Sequence, residues 1–291
     1  MKFDWYSATI PVDPYVILTT LSNTLQTEVK TCRPMFGYSQ GFELQHPDRG
    51  VVARLLCGGN RDAYPNAWAS GQDTEQFVEV VRDKFPMHLV TRFDSCEDFA
   101  DTGVFDNLRS ILRQVAVGHR LKFPSIEDTL NPGEGRTQYI GSRKSPQFAR
   151  LYEKGKQLSS SLHGSVAAAA TVVDLSTGEI KPPEEWTRLE LVVRPQGEGR
   201  TIASTATPDQ AWGFTSWSHE LANLVFSLDE ARVFIRQRRI SKDAQAFRWM
   251  SKQYGAMLER EAFRLGGYQN LGNAIEAELE IIRKDARAKY R

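Results

Sequence analysis

The apolar pattern of this 291-residue chain changes period once, near residue 205, and that change limits its fold more than any other feature. Before that point most segments alternate apolar and polar side chains, the period of two expected of half-buried strands. FDWYSATI (3–10), FGYSQGFELQH (36–46), VVARLLCGG (51–59), HLVTRFDSCEDF (88–99), TQYIGSRKS (137–145), QFARLYEKGKQ (147–157) and WTRLELVVRP (186–195) read as strands. Helical periodicity interrupts them in PVDPYVILTTLSNTLQ, with Pro14 near its start, in SGQDTEQFVEVVRDKF (70–85) and in VFDNLRSILRQVAV (104–117). The Ser/Ala-rich stretch 159–183 is expected to be a helical or loop insertion ending in a Gly/Pro turn. Beyond residue 205 every segment repeats at about 3.6 residues. Strands followed by a run of helices imply an α+β chain. The expected layout is an antiparallel sheet domain with flanking helices over 1–204 and a helical region over 205–291.

Composition removes several classes. With 41% hydrophobic residues the chain can fill a core. No run of about 18 apolar residues exists, so no membrane span is expected. Asp4 and the lack of an apolar stretch in MKFDWYSATI argue against a secretion signal. Cys32, Cys57 and Cys96 suit neither a disulfide framework nor a zinc knuckle, and a reducing cytoplasm is the expected setting. The five histidines form no HxH or HExxH pattern. The net charge of +1 conceals an uneven distribution. Residues 1–110 carry ten Lys/Arg against fifteen Asp/Glu, whereas residues 231–264 carry nine against three.

Alternation along three strands gathers ionisable groups on single faces. Arg92, Asp94, Cys96 and Asp98 share one face; so do Phe148, Arg150, Tyr152 and Lys154, and so do Arg188, Glu190 and Val192. Phe93, Leu151, Leu189 and Leu191 form the opposite, core-facing set. If the three strands are neighbours, Asp94, Asp98 and Glu190 could converge on Mg²⁺ or Mn²⁺ with Tyr152 beside it, since carboxylate oxygens suit both ions. Flanking cations such as Arg150 and Lys154 lower a tyrosine's pKa and stabilise a crowded phosphorane-like transition state. Tyrosine, a carboxylate-held metal and cations are the minimal set for nicking DNA through a covalent phosphotyrosine. The same alternation also suits plain cross-strand ion pairs. By alternation alone, Tyr139 is as good a nucleophile as Tyr152.

The segments RFDSCED, YIGSRKSPQFARLYEK and WTRLE, in that order, resemble the replication initiation factor family of rolling-circle plasmids and filamentous phages. Members of that family look like R-(L/F)-D-x3-D, Y-x-G-x-R-x-S-x3-(F/A)-R-(I/L)-Y-(N/E/D)-K and W-x-R-x-E. The likeness spans about residues 88–195 and departs from the pattern at none of these positions. The resemblance implies that Tyr152 is the nucleophile. It also implies that Asp94, Asp98 and Glu190 are the metal-binding acids for Mg²⁺ or Mn²⁺, and that Lys154, Arg150 and Arg188 are accompanying catalytic cations. Tyr139 falls in the G-x-R-x-S motif and takes a structural or DNA-contacting role.

The activity implied is site-specific nicking of a phage or plasmid origin through a 5′-phosphotyrosine, followed by rejoining of the strand. Its partners would be double-stranded origin DNA, an extruded single-stranded hairpin, and the helicase and polymerase of a bacterial host. The chain shows no extra N-terminal helix-turn-helix module of the kind some conjugative-element relatives carry, which favours an initiator over a relaxase of the same chemistry. A non-catalytic origin-binding regulator is the remaining alternative.

Two further features bear on DNA. Ser142, Arg143, Lys144 and Ser145 place two cations and two hydroxyls at a hairpin tip, the groups that grip phosphates, although an ordinary polar turn would look the same. The basic stretch, with Arg236, Arg238, Arg239 and Lys242, is expected to serve DNA binding, while the helical region as a whole suits that role or self-association as a homodimer. Neutralising about five phosphates would give a log–log salt slope near −4.5. Trp212, Phe214, Trp217, Trp249 and Tyr254 stand at helical spacings and are expected in the core, as are the cysteines.

Overall fold

Alternating side chains require a partner strand on each side, and the chain meets that demand with one large antiparallel sheet. The computed structural model describes residues 1–59, 64–127, 130, 135–161, 172–173, 180–181, 185–228 and 242–288. In order come β1 (Lys2–Thr9), α1 (Pro14–Leu25), β2 (Glu28–Cys32), β3 (Tyr38–His46), β4 (Gly50–Gly59), β5 (Asn66–Ser70), α2 (Thr74–Lys84), β6 (Leu89–Phe99) and α3 (Val104–Gly118). Next come β7 (Ser125–Ile126), β8 (Thr137–Ile140), β9 (Gln147–Glu153), α4 (Lys154–Ser161), β10 (Val172–Val173), β11 (Ile180–Lys181) and β12 (Thr187–Val193). The helices α5 (Gly199–Thr205), α6 (Ser216–Phe226), α7 (Lys242–Arg264) and α8 (Tyr268–Ala288) follow. The sheet has ten strands in the order β2-β3-β4-β5-β1-β6-β12-β9-β8-β7. This is the expected α+β class.

Helices cover one face of the sheet. Helix α2 packs on β1 and β5, α3 on β8 and β9, and α5 on β6, with the turn of 3-10 helix at Gln210–Phe214 against β12. Between these layers Tyr6, Phe77, Phe93, Leu112, Leu151, Leu189, Leu191 and Trp212 are sealed from solvent. Each such aliphatic or aromatic side chain contributes on the order of 1.5–3 kcal/mol by leaving water. Helix α1 starts where expected: Asp13 Oδ1 accepts hydrogen bonds from Tyr15 N (2.9 Å) and Val16 N (3.4 Å), and Pro14 occupies the first turn, where it loses no backbone bond.

Several elements differ from expectation. The strand expected over 147–157 ends at Glu153, and Lys154 opens helix α4 instead of continuing the strand. Strand β2 (EVKTC) is mostly exposed at the sheet edge, so no buried face imposes alternation on it. Strand β5 (NAWAS) is short and alanine-rich, which leaves its pattern faint. Part of the Ser/Ala-rich insertion forms a short ladder between β10 and β11 rather than helix or loop alone.

The chain divides into two compact units, Met1–Ile235 and Arg236–Arg291, later than the boundary expected at 204/205. The reason is burial: Trp212, Trp217, Leu221 and Ala222 all pack into the sheet's own core. In the second unit, α7 and α8 are joined through Leu265-Gly266-Gly267. Gly266 takes a left-handed φ of 81°, and Gly267 N closes the helix end on Ala262 O at 2.7 Å. Tyr254 does not join a core as expected but is exposed on α7, as are Phe247, Met250 and Met257 at spacings of three and four residues. The Trp249 side chain lies outside the described residues. Among the described residues no helix is long and apolar enough to cross a membrane.

Candidate active site

Sheet order brings the three ionisable strands together, with β12 between β6 and β9. In register, Arg188 stands opposite Asp98 on one side and Tyr152 on the other. Glu190 stands opposite Cys96 and Arg150, and Val192 opposite Asp94 and Phe148. The ionisable residues therefore share one face, while Phe93, Leu151, Leu189 and Leu191 point into the core. Charged and apolar sides of the same strands are separated as alternation predicts.

Two ionic clusters lie on that face. The first is a pair of carboxylates, Asp94 and Glu190, only 1% and 0% exposed. Each carries its own arginine. Arg92 donates through Nε to Asp94 Oδ1 at 2.9 Å and through Nη2 to Oδ2. Arg150 Nη2 donates to both Glu190 oxygens, at 2.8 and 2.9 Å. The Tyr152 hydroxyl donates to Glu190 Oε2 at 3.3 Å.

Two cations border the Tyr152 ring, the Arg150 guanidinium 5.1 Å and Lys154 Nζ 5.7 Å from its centroid. Burial pushes the Asp94 carboxyl up to about 7; Arg92 pulls the other way, and the charge of Glu190 adds to the rise. Burial, then the Glu190 charge, also raise the Tyr152 phenol above its ordinary value, with Arg188 and Arg150 opposing them. Lys154 is held below the ordinary lysine range by burial and by the nearby Arg188 charge.

The second cluster is built around Arg188. Its Nε and Nη2 clasp Asp98 Oδ1 and Oδ2 at 2.6 and 2.8 Å, and Nη1 reaches Asp4 Oδ1 at 2.6 Å. Trp186 Nε1 donates to Asp98 Oδ1 at 2.7 Å, and Lys2 Nζ lies 2.8 Å from Oδ2. Burial works against the Asp98 charge, but hydrogen bonds from Arg188, Lys2 and Trp186 hold its carboxyl below the usual range. Asp98 thus stands apart from the two carboxylates it was expected to join. Four residues of strand separate it from Asp94, about 13 Å of backbone, too far for one ion to span with both.

Asp4 was missed in the sequence because it sits in a bulge. The register slips between the pairs Phe3–Ser95 and Trp5–Asp94, sending Phe3 into the core and Trp5 to the polar face with Asp4 between them. Simple alternation places Phe3 and Trp5 together. The indole of Trp5 stacks beside Trp68, with ring centroids 6.3 Å apart, and carries the Arg92 guanidinium 4.5 Å above its ring.

Tyr139 faces Arg150 across β8 and β9, one strand out from Tyr152. It is half-buried and lies under the Arg143 guanidinium, 5.4 Å from the ring centroid. The loop from Gly141 to Pro146 is a folded turn. Ser145 N bonds Ser142 O at 2.8 Å, and Gly141 takes a left-handed φ of 87°, which a side chain would strain. Arg143 and Lys144 project from it, exposed, while Ser142 and Ser145 are half-buried. Arg236, Arg238 and Arg239 lie outside the described residues; Lys242 opens α7, but its side chain is not described.

The donor set matches a hard divalent ion. Among the described residues no three His, Cys, Asp or Glu groups come together to hold a metal. Mg²⁺, however, commonly takes one or two carboxylates and completes its shell with water and phosphate oxygen. Asp94 and Glu190 supply two such carboxylates; burial above all raises the Asp94 pKa, and the neighbouring Glu190 charge, which a divalent cation would offset, adds to the rise.

No protein-family profile matches the chain, and no curated protein matches it in sequence. Among solved structures it is similar to a rolling-circle replication initiator protein from Geobacillus stearothermophilus. The identity is 18%, the coverage 84% of this chain and 89% of that one, and the TM-score 0.47.

Proposed function

We propose that the protein initiates rolling-circle replication by nicking and rejoining one DNA strand at an origin, with Tyr152 as the nucleophile. One observation carries this reading: the Tyr152 hydroxyl donates to Glu190, which is paired with Asp94 on a nearby strand, while Arg150 of β9 and Lys154 at the start of α4 border the Tyr152 ring. These are the positions of the three motifs, and their juxtaposition supplies nucleophile, proton acceptor, carboxylate pair and cations together.

The chemistry follows from the residues. The Tyr152 phenol is protonated at neutral pH, and its hydrogen bond aims that proton at Glu190 Oε2. As the phenolic oxygen attacks phosphorus, the proton passes to that carboxylate. The bond from phosphorus to the 3′-oxygen breaks, leaving a 5′-phosphotyrosine, and the 3′-oxygen takes a proton from solvent to become a primer hydroxyl. Arg150 and Lys154 stabilise the phenolate and the charge growing on the phosphorane oxygens. Asp94 and Glu190 would hold Mg²⁺ or Mn²⁺, which polarises the scissile phosphate when bound. The reverse attack by a 3′-hydroxyl rejoins the strand.

In this scheme Arg188 acts on Tyr152 by its charge and by fixing Asp98 and Asp4, rather than as a free cation. The basic segment around Arg236 serves origin binding. The exposed apolar stripe of α7 suits self-association. The setting would be the cytoplasm of a bacterial host that supplies helicase and polymerase.

The test is covalent trapping. The protein is incubated with supercoiled DNA carrying the origin of its own replicon and Mn²⁺, then resolved under denaturing conditions. Wild type is expected to form a protein–DNA adduct and Tyr152→Phe none. An adduct formed equally by Tyr152→Phe removes Tyr152 as nucleophile, and its absence from wild type favours a non-catalytic origin-binding regulator.

A further inference from the structure

Cations crowd one edge of the candidate active site beyond what its carboxylates balance. Strand β12 ends with Val193 paired to Phe93, so the next residue, Arg194, emerges beside Arg92 of β6. Its backbone N bonds Pro146 O at 2.7 Å, which holds it against the loop that carries Arg143. Its side chain is fixed as well. Arg194 Nη1 donates to the carbonyl oxygens of Arg143 (2.9 Å) and Ser145 (3.3 Å), and the guanidinium lies 5.3 Å from the Phe148 ring centroid.

Arg194 therefore stands next to Arg92 and against the loop of Arg143, so three guanidiniums from three elements feel one another's charge, while Asp94 is already engaged by two nitrogens of Arg92. Among the described residues neither Arg143 nor Arg194 has a carboxylate partner. Burial and the Arg92 charge pull Arg194 below the ordinary arginine value; Asp94 opposes them, and Arg143 adds to the fall. Holding like charges together costs free energy, and an anion seated among them would recover it. On the same face the half-buried Trp5 stacks on the buried Trp68 and lies beneath the Arg92 guanidinium, which fixes that cation in place.

We propose that Arg92, Arg143 and Arg194 form a clamp for a single-stranded DNA phosphate adjacent to the scissile one. Planar guanidinium forks match phosphate oxygens in two-point contacts, which lysines do not reproduce. The clamp would hold the strand in register while Tyr152 attacks. It rests on the nicking activity proposed above, and it names two residues, Arg92 and Arg194, to which that activity gave no role. A structural role for Arg194 would be to staple the 141–146 loop through two carbonyl oxygens; that role needs a donor but no charge.

The probe is a fluorescein-labelled single-stranded oligo-dT, titrated with full-length protein by fluorescence anisotropy across a series of KCl concentrations. Arg143→Gln and Arg194→Gln are each expected to weaken binding roughly three- to tenfold at about 0.1 M salt and to make the log–log salt slope shallower by about 0.7. The two together are expected to lower the slope by about twice that. Should Arg194→Gln loosen the loop, Arg143→Gln still decides, because its side chain is exposed and, among the described residues, rests on the Tyr139 ring. Both variants binding within about twofold of wild type with an unchanged slope would falsify the clamp. So would a wild type that does not bind the oligonucleotide. Neither result touches the Tyr152 adduct, which tests the nicking activity separately.

Discussion

Asp94 and Asp98 sit on one strand and one face, yet their surroundings are opposite. Around Asp98, Arg188, Lys2 and Trp186 supply donors to both oxygens, and its carboxyl is held below the usual range. Around Asp94, Arg92 also donates to both oxygens, but the carboxyl is fully buried with a second carboxylate packed alongside, and burial lifts its pKa to about 7. A satisfied acid fixes strands to one another, whereas a crowded one keeps affinity in reserve for a cation. The contrast divides the polar face into a part that holds the sheet together and a part suited to chemistry.

Removing one member from each cluster should give the largest divergence. Arg188→Ala leaves Asp98 and Asp4 without their shared guanidinium and is expected to lower stability by about 3 kcal/mol in urea unfolding. Asp94→Asn should behave differently. The folded pKa of Asp94 lies above its unfolded value, so its stabilising contribution is complete below the ordinary carboxylate range and is lost as pH rises through about 7. The asparagine variant, which does not ionise, should escape that loss and equal or exceed wild type in stability at about pH 8 while losing the response to Mn²⁺. If Asp94→Asn proves as destabilising as Arg188→Ala, the two clusters are alike and the division fails.

A smaller effect concerns pH and metal. Because Asp94 keeps its proton up to about 7, that proton competes with a divalent ion below this value. Mn²⁺ affinity, measured by isothermal titration calorimetry, should rise about tenfold per pH unit on approach to 7 and level off above it. An affinity already flat between about pH 5 and pH 7 would show that Asp94 is not a ligand. The smallest effect is expected at Tyr139. Tyr139→Phe keeps the ring beneath Arg143 and should nick within about threefold of wild type. Complete loss of nicking would reopen the choice between the two tyrosines.

Much of this was legible in the sequence because three strands each had to present opposite chemistries to their two faces. Alternation in RFDSCED, FARLYEK and TRLELV placed Asp94, Arg150, Tyr152, Arg188 and Glu190 on one side and the leucines on the other, as observed. Which acids meet was less legible, since sharing a face does not mean sharing a site; Asp98 is drawn away by Arg188 across one register pair. Asp4 was hidden by a bulge, a feature that alternation cannot register. The edge strand β2 escaped notice because solvent on both faces imposes no pattern. Where the sheet's own unit ends was less legible, because helical periodicity reports an amphipathic face without saying what that face packs on; α6 buries its face in the sheet's core.

Tyr152 as the attacking group is the central claim, and peptide mapping of the covalent adduct tests it most directly. Trypsin cleaves after Arg150 and Lys154, so Tyr152 falls in the peptide Leu151–Lys154, whereas Tyr139 falls in Thr137–Arg143. After nuclease trimming of the trapped DNA, mass spectrometry should find the nucleotide mass on Leu-Tyr-Glu-Lys and leave Thr-Gln-Tyr-Ile-Gly-Ser-Arg unmodified. A nucleotide on the Thr137–Arg143 peptide, or on neither, would contradict the account.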